Sequence, residues 1–243
     1  MASIGSFIPV PFSETTIASL KAGPAQPLHG VSPAVGVYSN HLANKPTSLV
    51  LQSNPFENGG EDFLIRDLDS GEVQLVCRTN TASGKHGKVI TDVDGNILVS
   101  LKSKIALSKS FVGEDINGKE ILKVKKKFAL GSAFEASFHD AQSSKSKSIQ
   151  LRGDFWLGSA DILIVSGPLI AQFSRRKVES KGLNPNKETY IVNVAPGVDL
   201  ALITAICICF EDASKLEKGK IEKEYKEMQI DVNFLLGIKD GSK

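Results

Sequence analysis

The chain has 243 residues, a hydrophobic share of 41% and a formal net charge of +2. That is the make-up of an ordinary globular protein, and the charge is too small for any global electrostatic attraction to nucleic acid or membrane. The length suits one large β-domain or two small ones. Two of the three cysteines, Cys207 and Cys209, lie inside an apolar run, the third is Cys77, and no N-x-S/T site occurs. This composition points to a reducing, intracellular compartment, cytoplasmic or peripheral at a membrane. No basic residue precedes Lys21 and no arginine precedes Arg66, which fits neither a secretory signal nor an Arg-rich transit peptide.

Residues 1–46 form a low-charge zone with Pro9, Pro11, Pro24, Pro27, Pro33 and Pro46, expected as an extended or partly disordered arm pinned where FIPVPF or VGVY meets the domain. TSLVLQ opens a series of short apolar runs at residue 47. FLIRDL, VQLVCRT, KVITDV, ILVSLKS, ILKVKKKF, SAFEASF, SIQLRGDFW, DILIVS, LIAQFSRR and TYIVNVA follow, separated by DSGE, DGN, NGK, SGP and LNPNK. The spacing predicts an antiparallel sandwich or barrel of hairpins. Residues 198–210, VDLALITAICICF, then form an apolar run with no polar stripe. At ~1.5 Å per residue a helix there reaches ~20 Å, short of the ~30 Å hydrocarbon core, so burial inside protein is expected. Its β-branched residues would suit a buried strand equally. Pro196, Gly197 and the capping carboxylate of Asp199 favour a helix. All its faces, Leu200, Ala201, Ala205 and Ile208 as well as Leu202, Ile203, Ile206 and Cys209, are expected to be inaccessible. After Asp212 the chain becomes EK-rich, with Leu216, Ile221, Tyr225 and Met228 in an imperfect apolar stripe that predicts a helix packing on the barrel.

Catalytic-looking patterns have plainer explanations. GEDINGKE (113–120) has the glycines and lysine of a phosphate-binding loop, but Glu120 replaces the magnesium-binding hydroxyl and a strand follows. A hairpin turning at Asn117 and Gly118 is expected. TDVDGN (91–96) begins like a calcium loop without the distal ligands, and a type I′ turn at Asp94 and Gly95 accounts for it. The histidines show no metal-ligand spacing. No catalytic, cofactor or metal residue is assigned.

Basic residues carry the functional hint. Alternation along ILKVKKKF puts Lys123, Lys125 and Lys127 on one face, opposite Leu122, Val124 and Phe128. Lys126 falls on the apolar face by count, which suggests a bulge or an open barrel edge. Arg175, Arg176 and Lys177 end another strand, and Lys145 and Lys147 occupy a Ser-rich loop. A solvated barrel exterior is the plain reading of these charges. Binding of anionic lipid headgroups by Lys123, Lys125, Lys127, Arg175, Arg176 and Lys177 is the functional one. Nucleic acid is disfavoured because no aromatic residues interleave with the charges.

The order VKKKFALGSAFEASF, LRGDFWLGSADILIV, SGPLIAQFSRR and ETYIVNVAPGVDLALITAICICFED, with a VGVYS opening, resembles the LURP-one-related family of the tubby C-terminal-like superfamily, alongside phospholipid scramblases. The resemblance spans roughly 34–213 and implies a closed antiparallel barrel of about twelve strands around a central hydrophobic helix at 198–210. It divides the chain into an arm (1–33), the barrel (34–213) and a charged helical tail (214–243). It implies no catalytic activity and leaves a binding or scaffold role, with the arm or tail as the place for a protein partner. The charged tail departs from the hydrophobic segment of scramblases and counts against a transmembrane span. A lipid-moving protein, or an enzyme with a pocket at a barrel end, is the alternative.

Overall fold

A computed structural model describes residues 12–21, 27–55, 61–80, 87–105, 109–129, 131–154, 159–176 and 188–235. A short helix, α1 (Glu14–Lys21), precedes twelve strands: β1 (Thr47–Pro55), β2 (Glu61–Asp67), β3 (Val73–Asn80), β4 (Gly87–Thr91), β5 (Ile97–Ile105), β6 (Lys109–Glu114), β7 (Glu120–Ala129), β8 (Gly131–Asp140), β9 (Lys145–Asp154), β10 (Ser159–Ile164), β11 (Leu169–Arg176) and β12 (Thr189–Val194). Each pairs antiparallel with its neighbours in the chain, and β12 pairs with β1 to close the barrel. One long helix, α2 (Leu200–Leu235), follows.

Eleven of the strands coincide with the apolar runs of the sequence; β6 does not. Among the described side chains of KSFVGE, Phe111 and Gly113 are on the inward face, and a Cβ on Gly113 would stand 2.9 Å from Val99 Cγ1 and 3.0 Å from Leu122 Cβ. A glycine that makes room for its neighbours leaves too weak an alternation to recognise. The hairpins at 92–96 and 115–119 form, but with a different turn from the one expected. Only the glycine has positive φ in each (Gly95 86°, Gly118 79°), the amides of Gly95 and Gly118 donate to the carbonyls of Asp92 and Asp115, and the strand register shifts beside both turns. This is a type I turn followed by a left-handed glycine, as in three-residue hairpin loops. Asp92 Oδ1 accepts the amides of Asp94 (3.0 Å) and Asn96 (2.8 Å), so the calcium-like carboxylate serves the turn. The LNPNK loop and residues 1–11, including most of FIPVPF, lie outside the described residues.

The helix starts at Leu200, and Asp199 is its N-cap. Asp199 Oδ1 accepts the amides of Ala201 (2.8 Å) and Leu202 (3.2 Å), and Oδ2 accepts those of Val37 (2.9 Å) and Tyr38 (2.8 Å). Ala201–Phe210 are all buried, against barrel-lining side chains such as Leu49, Phe63, Ile90, Phe134 and Val192. Leu200 is only half-buried, because it forms the first turn at the rim. Phe210 makes edge contacts with Phe134 and Phe173, and Phe173 stacks on Tyr190. The cysteines are free and buried. Burial pushes the thiols of Cys77, Cys207 and Cys209 up.

Because β12 leads into α2 through a turn, the helix runs back along the barrel and leaves at the opposite end. The cap end, where it enters, carries the connections 68–72, 92–96, 115–119, 141–144, 165–168 and 195–199. The arm closes it. Val35 and Leu42 bridge to Val198 and Asp199, and the amides of Val31, Val35 and Ala43 donate to the carbonyls of Pro196, Gly197 and Val198. Gly36 is needed there, since a Cβ would stand 2.3 Å from Asp199 Cβ. α1 covers an outer face, where Phe12, Ile17 and Leu20 pack on Val50, Leu68 and Ile191 and the Arg66 guanidinium lies 4.1 Å from the Phe12 ring centroid. The tail and the central helix are a single 36-residue helix, ~54 Å long. Strands of five to ten residues reach only ~17–33 Å. The helix therefore continues beyond the exit end, where α2 leaves the barrel.

Candidate functional site

The outward face of β5, β6 and β7 gathers lysines that the sequence keeps apart. Lys104 pairs across to Ser110 and Ser110 to Lys125, while Lys102 pairs to Val112 and Val112 to Lys123. Neighbouring strands are ~4.8 Å apart and alternate residues ~6.6–6.8 Å apart along a strand. The four lysines therefore stand at the corners of a rectangle of roughly 10 by 7 Å. Ser110 and Val112 are buried beneath it although they point outward, as expected where aliphatic lysine stems lie over small residues. Lys104 and Lys125 are exposed and Lys123 half-buried. Among the described residues no carboxylate pairs with any of these three. Lys102 pairs with Glu114, and Lys127, further along β7, pairs with Glu135. The face carries net positive charge; Lys104, Lys123 and Lys125 form no ion pair among the described residues, although Glu135 stands directly across from Lys125 on β8.

The alternation along β7 is as expected, with Leu122 and Val124 in the core. The bulge or open edge expected at Lys126 is absent: β7 and β8 pair from Leu122 to Ala129 without a register shift, and the barrel is closed. Lys126 faces inward opposite Phe134, near the exit end. The basic residues of β11 are not brought to this face. β11 lies four strands further round, about 19 Å along the sheet. Arg175 shares the inward face of Phe173 and forms an ion pair with Glu188, which also accepts the Tyr190 hydroxyl at 2.6 Å. Arg176 points outward, opposite Thr189. Lys177 lies outside the described residues. Lys145 and Lys147 belong to the cap end, where Lys147 pairs with the buried Asp140 at 2.9 Å. Against the opposing effect of burial, hydrogen bonds from Ser143 Oγ, the Gly36 amide and Lys147 bring the Asp140 carboxyl down to about 2. Lys102 and Lys104 were the members of the cluster that sequence reasoning missed. Their alternation in LKSKI matches that of β7, but only the β5–β6–β7 register reveals that the two rows face each other.

At the exit end α2 is tied to the barrel by charge. Lys88 forms an ion pair with Asp212 and lies 4.9 Å from the Phe63 ring centroid. Burial raises the Asp212 carboxyl, opposed by Lys88. Lys215 reaches Glu211 at 3.0 Å and Glu188 at 3.8 Å. A small cleft lined by Thr79, Gly87, Lys88, Leu101, Ser103, Phe111 and Asp212 opens beside the first pair. Among the described residues no helix is long and apolar enough to cross a membrane.

A crystal structure of an Arabidopsis thaliana protein is similar to this chain, with 19% identity over 73% of this chain and 96% of the other, and a TM-score of 0.52. At that identity the likeness concerns the fold. No curated protein matches the sequence. Residues 47–212, from the first strand to the acidic residue that pairs with Lys88, match the LURP-one-related family profile. The chain belongs to the LURP-one-related family, with a closed twelve-strand barrel around a helix.

Proposed function

We propose that this barrel is a non-enzymatic binding module that holds anionic phospholipid or phosphoinositide headgroups on the outer face of β5–β7. The observation that carries the reading is the grouping of Lys104, Lys123 and Lys125 around Ser110 without carboxylate partners among the described residues. Each basic residue near an anionic surface contributes about 1 kcal/mol, so three or four support weak, salt-sensitive attachment. The alternative, a lipid-moving protein or enzyme working at a barrel end, has the exit cleft in its favour. The packed helix inside the barrel and the paired state of Lys88 and Asp212 weigh against it.

Co-sedimentation with phosphatidylserine-containing and phosphoinositide-containing vesicles at low and high salt tests the reading. Binding should weaken with salt, and Lys104→Glu/Lys123→Glu/Lys125→Glu should weaken it at least about tenfold. Stability should change little, since exposed substitutions usually cost under about 0.5 kcal/mol each. Unchanged vesicle binding in that variant sinks the proposal. Catalytic turnover by the pure protein, abolished by Lys88→Met, would establish the alternative.

A further inference from the structure

Two neighbouring hairpins at the cap end turn on the same pattern, DVDG at 92–95 and DING at 115–118. In each, the aspartate accepts amides of its own turn, the glycine takes the positive φ, and a β-branched apolar residue, Val93 or Ile116, occupies the first turn position. That position accepts most residues, so the turn itself does not call for Val or Ile there. Nor does the core, because both side chains face water. Among the described residues the large apolar side chains that stand exposed are Ile116 (70%), Val93 (53%), Val165 (44%) and Ile97 (38%). All lie at the cap end, and Val93, Ile97 and Ile116 belong to these two hairpins. Val165 stands apart, on the β10–β11 hairpin. β5 pairs with β6, with Ser100 opposite Glu114, and continuing that register to the turn sets Ile97 opposite Asn117, next to Ile116. The three side chains therefore form one apolar edge, and it is bordered by acid. Residues 91–97 and 114–120 hold five acids and a single base, Lys119. Asp94 and Glu120 are exposed and form no ion pair among the described residues.

We infer that these two hairpin tips dock a short segment of a protein partner that combines large apolar side chains with Lys or Arg. Val93, Ile97 and Ile116 receive the apolar side chains, and Asp94 and Glu120 attract the basic ones. An anionic bilayer is the wrong occupant, since it repels the carboxylates that border the tips. A second copy of the chain is wrong as well. A symmetric contact through the tips sets acid against acid, and the lysine face of β5–β7 brings no exposed large apolar side chain, among the described residues, to meet them. Three apolar side chains bury too little for a permanent interface, so the association is transient and the partner segment short. Both turns are already fixed by their own aspartates, and the Tyr38 hydroxyl, from the arm, donates to the Leu98 carbonyl beside Ile97. Little ordering therefore remains to oppose docking.

The probes are three short fluorescent peptides, one alternating Leu with Arg, one Leu with Glu and one Ser with Arg, titrated into the full chain by anisotropy and, with the protein isotope-labelled, by amide NMR. The Leu/Arg peptide should bind at least about tenfold more tightly than either of the others, and the amides it shifts should be those of 91–97 and 114–120. Val93→Ser/Ile116→Ser should weaken that binding at least about tenfold with the melting temperature unchanged, because both side chains are exposed. Asp94→Lys/Glu120→Lys should reverse the preference in favour of the Leu/Glu peptide, and Val165→Ser should change nothing. Equal binding of the Leu/Arg and Ser/Arg peptides, which would mean charge alone, overturns the inference. So does binding of none of them, a shift pattern centred elsewhere, or binding that Val93→Ser/Ile116→Ser leaves intact. Sedimentation showing a dimer that this double variant dissolves overturns it in favour of a second copy, and loss of anionic-vesicle binding in the same variant, with no peptide preference, overturns it in favour of the bilayer.

Discussion

At the cap end of the barrel a carboxylate is surrounded by backbone; at the exit end it is surrounded by side-chain charge. Asp199 takes four main-chain amides, two from the arm and two from its own helix, and is wholly buried. Asp212 takes one lysine and is partly open to water. The first arrangement joins three separate pieces of chain, the arm, the β12 turn and the start of α2, so losing it breaks all three junctions. The second holds one helix to one strand, and water can replace much of it. The second half of α2 leaves through the exit side, whereas six short connections and the arm complete the cap end. The difference separates an end closed by backbone hydrogen bonds from one held by side-chain charge.

The strongest way to break the contrast is to attack the element shared by both ends. Ile206→Lys should prevent folding, because an unpaired ammonium in the barrel interior has no water. Ile206→Ala should cost about 2–5 kcal/mol in chemical denaturation through lost transfer energy and a cavity. In the native protein Cys207 and Cys209 should resist thiol reagents; rapid labelling of both would show that the helix is not enclosed. At the cap end Asp199→Ala strands buried amides at about 1–3 kcal/mol apiece, partly relieved by relaxation. A net loss of about 2–4 kcal/mol is expected, and a loss below 1 would mean that water serves these amides. At the exit end Lys88→Met should cost less, about 1–3 kcal/mol, and Lys88→Met/Asp212→Leu should recover most of it, since removing both members of a pair leaves no orphaned charge. A double variant as unstable as the single one would show a structural need for the pair.

The smallest expected effect is in pH. The Asp140 carboxyl is held down at about 2 in the folded state, against about 3.9 in an unfolded chain. A depressed carboxyl contributes stability that is fully present above the unfolded value and is lost as pH falls through the folded one. Asp199 is shifted the other way, raised by burial against its four amides. Its own contribution is lost as pH rises, so it adds nothing to acid lability. Asp140→Asn should therefore be less stable than the parent at neutral pH, with the difference narrowing between about pH 4 and 2. A constant difference across that range would remove Asp140 from the acid response.

The local features of this protein were legible in the chain itself. Short apolar runs between turn signals marked eleven strands, the apolar run at 198–210 marked the enclosed helix, and Asp199 announced its cap, because each of these is decided by residues a few positions apart. The family resemblance supplied closure and strand number. Interactions between distant segments were not legible. Gly113 obscured β6 because its reason for being there, the closeness of Val99 and Leu122, belongs to neighbouring strands. Arg175 turned inward to Glu188, and Lys104 came to face Lys125 across Ser110, through register alone. The tail joined the central helix because no proline or cap interrupts residues 200–235 and Gly219 alone is too weak a breaker. The amino-acid pattern determines which side of each element is apolar, a matter of hydration. Only the closed barrel decides which polar sides become neighbours, since that depends on the order and stagger of strands far apart in the chain.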